Sequence, residues 1–240
     1  IYNVPGSFRA ATRGSLPAGA REFAIKGALP EPALFAAQAF AGFLKKSGVV
    51  VSVNARLAAL PVSIDDTKVL VRSESAPLRD IVRLTNKRSF NLYAEMLSRA
   101  VALSQGKPGS VAGGNDAVRE FLRSTGGSVE GVRLEDACGL SRMNMVTARA
   151  MTDLLVFMSK SPVFADYQES LAFPGDPEGF GRIKEFGKKT VLEKSLRIKS
   201  GSLSGARSYS GYLRNKAGRL LAAQIEKIHE DLLVALAESR

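Results

Sequence analysis

The chain has 240 residues, of which 45% are apolar and 24% are charged. This composition is typical of a soluble globular protein, and the length allows one large domain or two small ones. No apolar run approaches the roughly 18 residues of a membrane-spanning helix, so we expect no membrane span. The formal net charge is +11. The basic residues are scattered and not interleaved with aromatics, which favours a solvated basic face over a nucleic-acid partner.

The chain has few of the cysteine and histidine residues that bind metals or act as the base in a catalytic triad. The one cysteine, Cys138, excludes an intrachain disulfide and a Cys-rich metal site. The one histidine, His229, would have to serve any Ser-His-Asp triad, and a zinc site with several histidines is excluded. We expect Cys138 to be a packing residue and His229 a surface residue, and we expect no metal or cofactor.

The first 53 residues are predicted to contain an extended or looped segment, a helix and a strand, in that order. Residues 1–30 are predicted to be extended or looped. Residues 32–47 place apolar side chains at helical spacing and predict a helix, with Gly48 as its C-terminal cap. The β-branched run 49–53 predicts a strand.

Four amphipathic stretches predict helices at 76–86, 91–103, 113–124 and 147–158. Asn115 or Asp116 is expected to cap the third and Thr147 the fourth. Residues 132–136 predict a short strand. The side chains expected to be buried are Leu78, Ile81, Val82, Leu92, Met96, Ala100, Leu103, Val118, Phe121, Leu122, Met151, Leu154, Leu155 and Met158.

The last third of the chain is predicted to be a small antiparallel sheet followed by a helix. Residues 171–190 are rich in Gly and Pro and predict a surface loop. Three short alternating runs then predict strands, and "RNKAG" between the last two predicts a hairpin turn. The tail 223–239 is amphipathic and predicts a helix. Because helices and strands are segregated along the chain, the predicted class is α+β.

Two short polar groups before the sheet could carry chemistry. Ser89-Phe90-Asn91 lies between two predicted helices, where a hydroxyl and a carboxamide can face one cleft. Alternatively, Ser89 caps the helix that begins near Asn91. The stretch 135–144 contains a Gly-Leu-Ser-Arg turn, in which Asp136 is either a partner for Arg142 or an ordinary loop carboxylate.

A third group, Lys199-Ser200-Gly201-Ser202, lies on the first late strand. An inward lysine beside a small hydroxyl residue can bind a substrate carboxylate. The glycine would let a substrate backbone approach, and the Ser202 N–H could donate to an oxyanion. The alternative is a strand edge protected by a lysine. Taken alone, each of the three groups is better explained by its structural alternative.

Taken in chain order, the three groups resemble the motifs of the penicillin-recognising serine peptidases, whose signature is Ser-x-x-Lys, Ser-Asp-Asn and Lys-Thr-Gly. The chain most resembles the D-alanyl-D-alanine carboxypeptidase/endopeptidases of the class C low-molecular-mass penicillin-binding proteins. The likeness extends to about Leu221 and is carried by residues 13–40, 78–97, 113–127, 135–151 and 196–213. It implies the C-terminal part of a transpeptidase-like, β-lactamase-like α+β domain, with a helical cluster, an antiparallel sheet and a C-terminal helix.

The resemblance also implies a reaction. In this family the serine of Ser-x-x-Lys, with its lysine as base, attacks the carbonyl of the penultimate D-Ala, and water later hydrolyses the acyl-enzyme. The implied site residues are Ser89 for proton relay, Asn91 for the substrate amide, Lys199 and Ser200 for the terminal carboxylate, Gly201 for space, and the Ser202 N–H for half of the oxyanion hole.

The chain departs from the family pattern at the nucleophile. No Ser-x-x-Lys precedes Ser89. The one present, Ser104-Gln105-Gly106-Lys107, lies near a predicted helix end, where the helix dipole would not lower the pKa of a nucleophile. A second departure lies near 222–223, where "GRLLA" passes directly into "AQIEKIHED", which indicates missing residues.

Residues 1–30 are accordingly predicted to lead from a missing upstream or inserted region, and residues 31–240 to belong to the transpeptidase-like domain. The expected function is a periplasmic or other extracytoplasmic serine-type D-Ala-D-Ala carboxypeptidase/endopeptidase. Its ligands would be peptidoglycan peptides and β-lactams, and its missing N-terminal part would be a partner without which this chain is inactive. The alternatives are a non-catalytic wall-binding or scaffold module of the same fold and an unrelated basic α+β binding domain.

Overall fold

The structure, a computed structural model, describes residues 2–3, 10–15, 18–19, 27–58, 69–180, 183, 186–187, 189–225 and 236–239. The chain divides into two compact units, Ile1–Ser73 and Glu74–Arg240. The first contains β1 (Tyr2–Asn3), β2 (Ala10–Ala11) and α1 (Pro32–Lys46). The second contains α2 (Leu78–Arg88), α3 (Asn91–Ser104), α4 (Val111–Ser124), α5 (Ala148–Ser159), α6 (Phe164–Ser170), α7 (Leu192–Ser195), β3 (Leu196–Leu203), β4 (Ala206–Arg214) and β5 (Leu220–Ile225).

In the first unit, α1 is the predicted helix and ends as predicted. Gly48 has a φ of +83°, its N–H donates to the Lys45 carbonyl, and the Val49 N–H donates to the Leu44 carbonyl at 2.9 Å. This pair of hydrogen bonds is a Schellman motif, which uses glycine because the left-handed region is open to it. β1 and β2 pair antiparallel.

The predicted strand 49–53 is wrong, because these residues are in no strand. The Val50 side chain is 90% exposed. A β-branched run becomes a strand only where a neighbouring strand and a packing surface receive it, and residues 49–53 have no strand partner in the described part of the unit.

In the second unit, the sheet order is β3-β4-β5 and all pairs are antiparallel. The three predicted strands are confirmed. The hairpin is also confirmed, with the Asn215 N–H donating to the Arg219 carbonyl at 3.0 Å. The predicted tail helix begins too early, because residues 223–225 belong to β5, where they pair with β4. Residues 236–238 are helical, and His229 lies outside the described residues.

The core of this unit lies on both faces of the sheet. One cluster combines residues of β3 and β4, residues of the segment before them, and Ala237, which follows β5 in the chain. Its members are Ala172, Ile183, Leu192, Leu196, Ile198, Leu213 and Ala237. The other combines Leu155, Leu171 and Tyr212, and the Tyr212 hydroxyl donates to the Leu155 carbonyl at 2.7 Å. Together these elements form an α+β architecture, as predicted. No described helix is long and apolar enough to cross a membrane.

The helices α3 and α4 contact through small residues. The predicted inward face of α3 is wrong, because Leu92 is 69% exposed and the buried residues of α3 are Ser98 and Ala102. A Cβ on Gly114 would lie 2.2 Å from the Ser98 hydroxyl oxygen. The two helices therefore approach more closely than larger side chains would allow.

Two predicted helix starts have different outcomes. α4 begins at Val111, and the Ser110 hydroxyl accepts the Gly113 N–H, so the predicted cap at Asn115 or Asp116 is wrong. Asn115 is instead buried and donates to the Leu134 carbonyl at 3.0 Å. The Thr147 cap of α5 is confirmed. Residues 132–136 form no strand beyond a single bridge between Arg133 and Met145.

The segment 171–190 is not a surface loop in its described part. Leu171, Ala172, Pro174 and Asp176 are buried. Ala172 forms an antiparallel bridge with Ile198 of β3. The Gly and Pro residues mark irregular backbone correctly, but irregular backbone can be buried when its polar groups find partners.

Candidate active site

Ser89 follows the last residue of α2 in an uncommon backbone conformation. Its φ of 55° and ψ of 48° place it in the left-handed region, while its N–H closes the last turn of α2 on the Thr85 carbonyl. A non-glycine residue in that region costs about 1–3 kcal/mol and is held only where the surroundings require it. The suggestion that Ser89 caps α3 is wrong, because Phe90 is the N-cap of α3 and makes no side-chain cap hydrogen bond.

Lys199 lies on β3, and its ammonium group reaches Ser89. The Lys199 Nζ donates to the Ser89 Oγ at 3.1 Å and also to the Ser200 carbonyl. Because Ile198 is buried in the core, the alternation of the strand directs Lys199 to the other face of the sheet. Burial lowers the pKa of Lys199 below its ordinary value of 10.5.

Ser200, Gly201 and Ser202 continue β3 towards the solvent. Ser200 is half-buried, whereas Gly201 and Ser202 are exposed. A Cβ on Gly201 would lie 3.0 Å from the Ser208 hydroxyl oxygen of β4. Within the described residues, β3 from Lys199 onward pairs only with β4. The other edge of β3, from Lys199 onward, thus has no strand partner among the residues that the structure describes.

Asn91 is the first residue of α3 and is exposed. It follows Ser89 by two residues, on the same turn between α2 and α3. Its carboxamide makes no hydrogen bond with a described residue, so both its donor and its acceptor are available to a ligand. The structure thus brings Ser89 and Lys199 into contact and places Asn91 next to Ser89 in the chain.

Asp136 anchors the turn that contains the Gly-Leu-Ser-Arg sequence. Its carboxylate accepts the N–H groups of Gly139 and Ser141, each at 2.6 Å, and the side-chain amide of Asn144 at 2.8 Å. Burial acts to raise the pKa of Asp136, but these hydrogen bonds outweigh it and lower the pKa below 3.8. Asp136 is therefore a loop carboxylate, and Arg142 is exposed and forms no ion pair with it.

Glu95 of α3 holds the same turn from the other side. Its Oε1 accepts the N–H groups of Ala137 and Cys138 at 2.8 and 2.9 Å. Ligand atoms of Glu95, Asp136 and Cys138 lie within 4.8 Å of one another, but both carboxylates already accept backbone N–H groups. Burial is the main reason that the pKa of the Cys138 thiol is raised, which disfavours the thiolate that a metal site or a nucleophile would need. The three residues are better explained as a loop anchor than as a metal site.

The one Ser-x-x-Lys sequence does not have nucleophile geometry. Ser104 is the last residue of α3, and its hydroxyl donates to the Val101 carbonyl. Lys107 forms an ion pair with Glu120. A hydroxyl at a helix C-terminus faces the negative end of the helix dipole, which agrees with the prediction that this motif is not the nucleophile.

Sequence reasoning missed a buried ion pair beside Ser89. Lys87 precedes Ser89 by two residues, and its ammonium group lies 3.1 Å from Asp176, with the two side chains only 9% and 1% exposed. The sequence carries one signal for it: Arg83 and Lys87 share one face of α2, and Asp176 and Glu178 lie close together in the Gly- and Pro-rich segment.

Comparisons with known sequences agree with the motif pattern. A sequence profile of the D-Ala-D-Ala carboxypeptidase 3 (S13) family matches residues 3–232. A D-alanyl-D-alanine carboxypeptidase of Actinomadura sp. (strain R39) is 31% identical over 226 residues, which are 93% of this chain and 42% of that protein. D-alanyl-D-alanine carboxypeptidase DacB of Haemophilus influenzae is 28% identical over 213 residues, which are 88% of this chain and 43% of that protein. The chain spans less than half the length of these relatives.

A comparison of structures gives the same result. Penicillin-binding protein 4 of Haemophilus influenzae, crystallised in complex with a β-lactam, is similar with a TM-score of 0.70 and 26% identity. The match covers 83% of this chain and 48% of that one. The predicted resemblance is confirmed, and the alternative of an unrelated basic binding domain is excluded. The chain belongs to the D-Ala-D-Ala carboxypeptidase 3 (S13) family.

Proposed function

We propose that the protein containing this chain is a serine-type D-Ala-D-Ala carboxypeptidase that acts on peptidoglycan stem peptides, and that this chain supplies one side of its active site. The observation that carries the proposal is the 3.1 Å hydrogen bond between Lys199 and Ser89, which joins two motifs 110 residues apart. The left-handed backbone at Ser89 supports it, because strain of this kind clusters at functional sites.

The proposed substrate lies along the open edge of β3. Its terminal carboxylate binds the Lys199 ammonium and the Ser200 hydroxyl, and its amide binds the Asn91 carboxamide. Gly201 leaves room for the peptide backbone. Peptidoglycan is extracytoplasmic, so the reaction takes place outside the cytoplasmic membrane.

The proposed nucleophile is a serine in a segment of the same protein outside this chain, with the lysine of its motif as base. The serine oxygen bonds to the carbonyl carbon of the penultimate D-Ala, and the Ser202 N–H stabilises the oxyanion together with the nucleophile's own N–H. The motif lysine, which took the proton of the nucleophile, returns a proton to Ser89 as the C–N bond breaks and the leaving nitrogen takes the hydroxyl proton of Ser89. That proton is free because the Ser89 oxygen accepts from Lys199. Water then hydrolyses the ester. Endopeptidase action uses the same steps with the amine of a cross-linked stem as leaving group.

The test uses the full-length protein, a labelled penicillin and intact mass. We expect a gain of one penicillin, mapped to a serine outside this chain. Ser89→Ala and Lys199→Met should lower the acylation rate, whereas Lys194→Met, which removes an exposed lysine of α7, should not. If the wild type forms no adduct but binds peptidoglycan, the non-catalytic wall-binding alternative is correct and the peptidase proposal is wrong.

A further inference from the structure

The two residues that carry the proposed site come from elements with different packing partners. α2, which ends at Ser89, packs mainly against α6 and α3, whereas β3, which bears Lys199, packs mainly against β4. A third part of the chain is bonded to both elements. This part is the bridging segment, defined as residues 170–178, which runs from the end of α6 through the Gly- and Pro-rich stretch.

On the α2 side, the bridging segment is held by three polar contacts from one helix face. Lys87 forms the buried ion pair with Asp176, Arg83 donates to Glu178 at 2.6 Å, and the Asn86 amide donates to the Ser170 hydroxyl at 2.8 Å. Ser170 is fully buried. Because buried charges are costly when misplaced, these contacts fix the last turn of α2, which leads directly into Ser89.

On the β3 side, the bridging segment is held next to Lys199. Ala172 and Ile198 exchange two backbone hydrogen bonds, at 3.1 and 2.8 Å. The Arg197 guanidinium lies 4.4 Å from the centre of the Phe173 ring. The Lys87 ammonium lies over the same ring at 5.4 Å, so one aromatic side chain contacts a cation from each of the two elements.

We propose that the bridging segment sets the position of Ser89 relative to Lys199, with Lys87, Asp176 and Phe173 as its positioning residues. The inference rests on the proposed function for its catalytic consequence. The hydrogen bond between Ser89 and Lys199 joins an exposed side chain to a half-buried one. Such a bond alone does not fix the position of α2 relative to β3. The buried pair and the two backbone hydrogen bonds do so.

The test compares two variants and two controls in the full-length protein. The double variant Lys87→Met with Asp176→Asn removes one positive and one negative charge and leaves the net charge unchanged. A change in the titration of Lys199 therefore reports a change in the position of its side chain and not a change in the net charge around it. Phe173→Leu removes the shared ring and keeps an apolar side chain. Lys216→Met, which removes the exposed ion pair between Lys216 and Glu238, is the control for the loss of an ion pair away from the bridging segment. The control for destabilisation alone is Phe121→Ala on α4, whose ring packs edge-on against Phe157 of α5 and not against the bridging segment.

Two readouts are made on each variant: the rate of acylation by benzylpenicillin, and the titration of the Lys199 ammonium by NMR with labelled lysine, assigned with Lys199→Arg. For the double variant we expect acylation to fall on the order of 10- to 100-fold, as for an ångström-scale misplacement. We also expect the Lys199 titration to move up towards 10.5 as the side chain gains water. Phe173→Leu should change both readouts in the same direction and by less.

The proposal is overturned if both readouts match the wild type. It is also overturned if Phe121→Ala lowers acylation as much as the double variant does at an equal loss of thermal stability. If wild-type protein is not acylated at all, the proposed function fails, and the NMR titration still decides: a shift in the double variant supports the positioning role, and no shift refutes it.

Discussion

Two regions of the second unit bury different kinds of residue. The sheet region, defined as α5, α6 and β3–β5, buries large apolar side chains such as Leu155, Leu196 and Tyr212. The helical region, defined as α2–α4, buries polar and small residues, namely Thr85, Lys87, Ser98, Ala102, Gly113, Gly114, Asn115 and Ala117. It leaves Leu92, Met96 and Leu103 largely exposed.

This difference shows how the candidate site is built. The sheet region has an apolar core of its own, so β3 is a firm support for Lys199. The helical region is held by ion pairs, hydrogen bonds and close backbone approach, and these interactions depend on geometry more steeply than apolar burial does. Ser89 lies within the helical region, in the turn between α2 and α3, and contacts the sheet region through Lys199.

The largest expected effect is on activity at the point where the two regions meet. Lys199→Met keeps the length of the side chain and removes its charge. We expect the acylation rate of the full-length protein to fall on the order of 100- to 1,000-fold, as when one donor to a developing charge is removed. Rapid-quench mass spectrometry measures it, with Lys194→Met as the control. A rate within a few-fold of wild type would break the assignment of Lys199.

The next effect separates the two kinds of burial. Leu155→Ala in the sheet region should lower the free energy of unfolding by about 2–5 kcal/mol, because it leaves a cavity in an apolar core. Met96→Ala on the exposed side of α3 should cost less than about 1 kcal/mol. Urea unfolding of the full-length protein measures both. Equal losses would mean that the exposed face of α3 is covered in the whole protein.

The close approach of α3 and α4 can be tested with two glycine-to-alanine substitutions, one at this contact and one on α1. Gly114→Ala places a methyl group against Ser98 and should cost about 1–3 kcal/mol. Gly42→Ala on α1 meets nothing within 4 Å and should stabilise by about 0.5–1 kcal/mol through helix propensity. The two changes in thermal midpoint should therefore have opposite signs, and a neutral Gly114→Ala would contradict the close packing.

The strained turn at Ser89 predicts a conflict between stability and activity. Ser89→Gly should be more stable than Ser89→Ala by about 1 kcal/mol, because only glycine adopts a φ of 55° without a steric penalty. Both variants lack the hydroxyl, so both should lose acylation to the same extent. Thermal denaturation and acylation rates of the pair test this. An Ala variant as stable as the Gly variant would mean that the turn relaxes.

The smallest effect is the pH dependence of the loop that Asp136 anchors. Because the folded-state pKa of Asp136 lies below 3.8, its hydrogen bonds stabilise the protein above that pH, and the stabilisation is lost as the pH falls through the folded-state pKa. Asp136→Asn should remove this part of the acid dependence of urea unfolding, whereas Asp116→Asn at an exposed position of α4 should leave it. Identical acid profiles for the wild type and Asp136→Asn would contradict the role of the carboxylate.

Local patterns in the sequence were sufficient for some elements. The periodicity of α1, the alternation of β3–β5, the hairpin at 214–218 and the Thr147 cap are each set by residues within a few positions of one another. The motif residues Ser89, Asn91, Lys199 and Gly201 were selected in the same way, from short groups whose order matched a family. Such features need no knowledge of what lies opposite them.

Which faces are buried, by contrast, was decided by the tertiary structure. Leu92 and Met96 form an apolar stripe, but the buried residues of α3 are Ser98 and Ala102, and Ser98 lies against Gly114 of α4, where the glycine allows a closer approach. The run 49–53 has strand propensity but finds no described strand to pair with.

The sequence by itself determined the α+β class, the family and the identity of the motif residues, because helix period, strand alternation and motif order are written along the chain. Only the tertiary structure decided that the Ser89 hydroxyl and the Lys199 ammonium meet, and that the segment predicted as a surface loop is buried between the elements that carry them. The physical reason is that the partners of Lys87 and Ile198 lie far away in sequence, and buried charges and backbone groups are paired through space, where no local pattern records them.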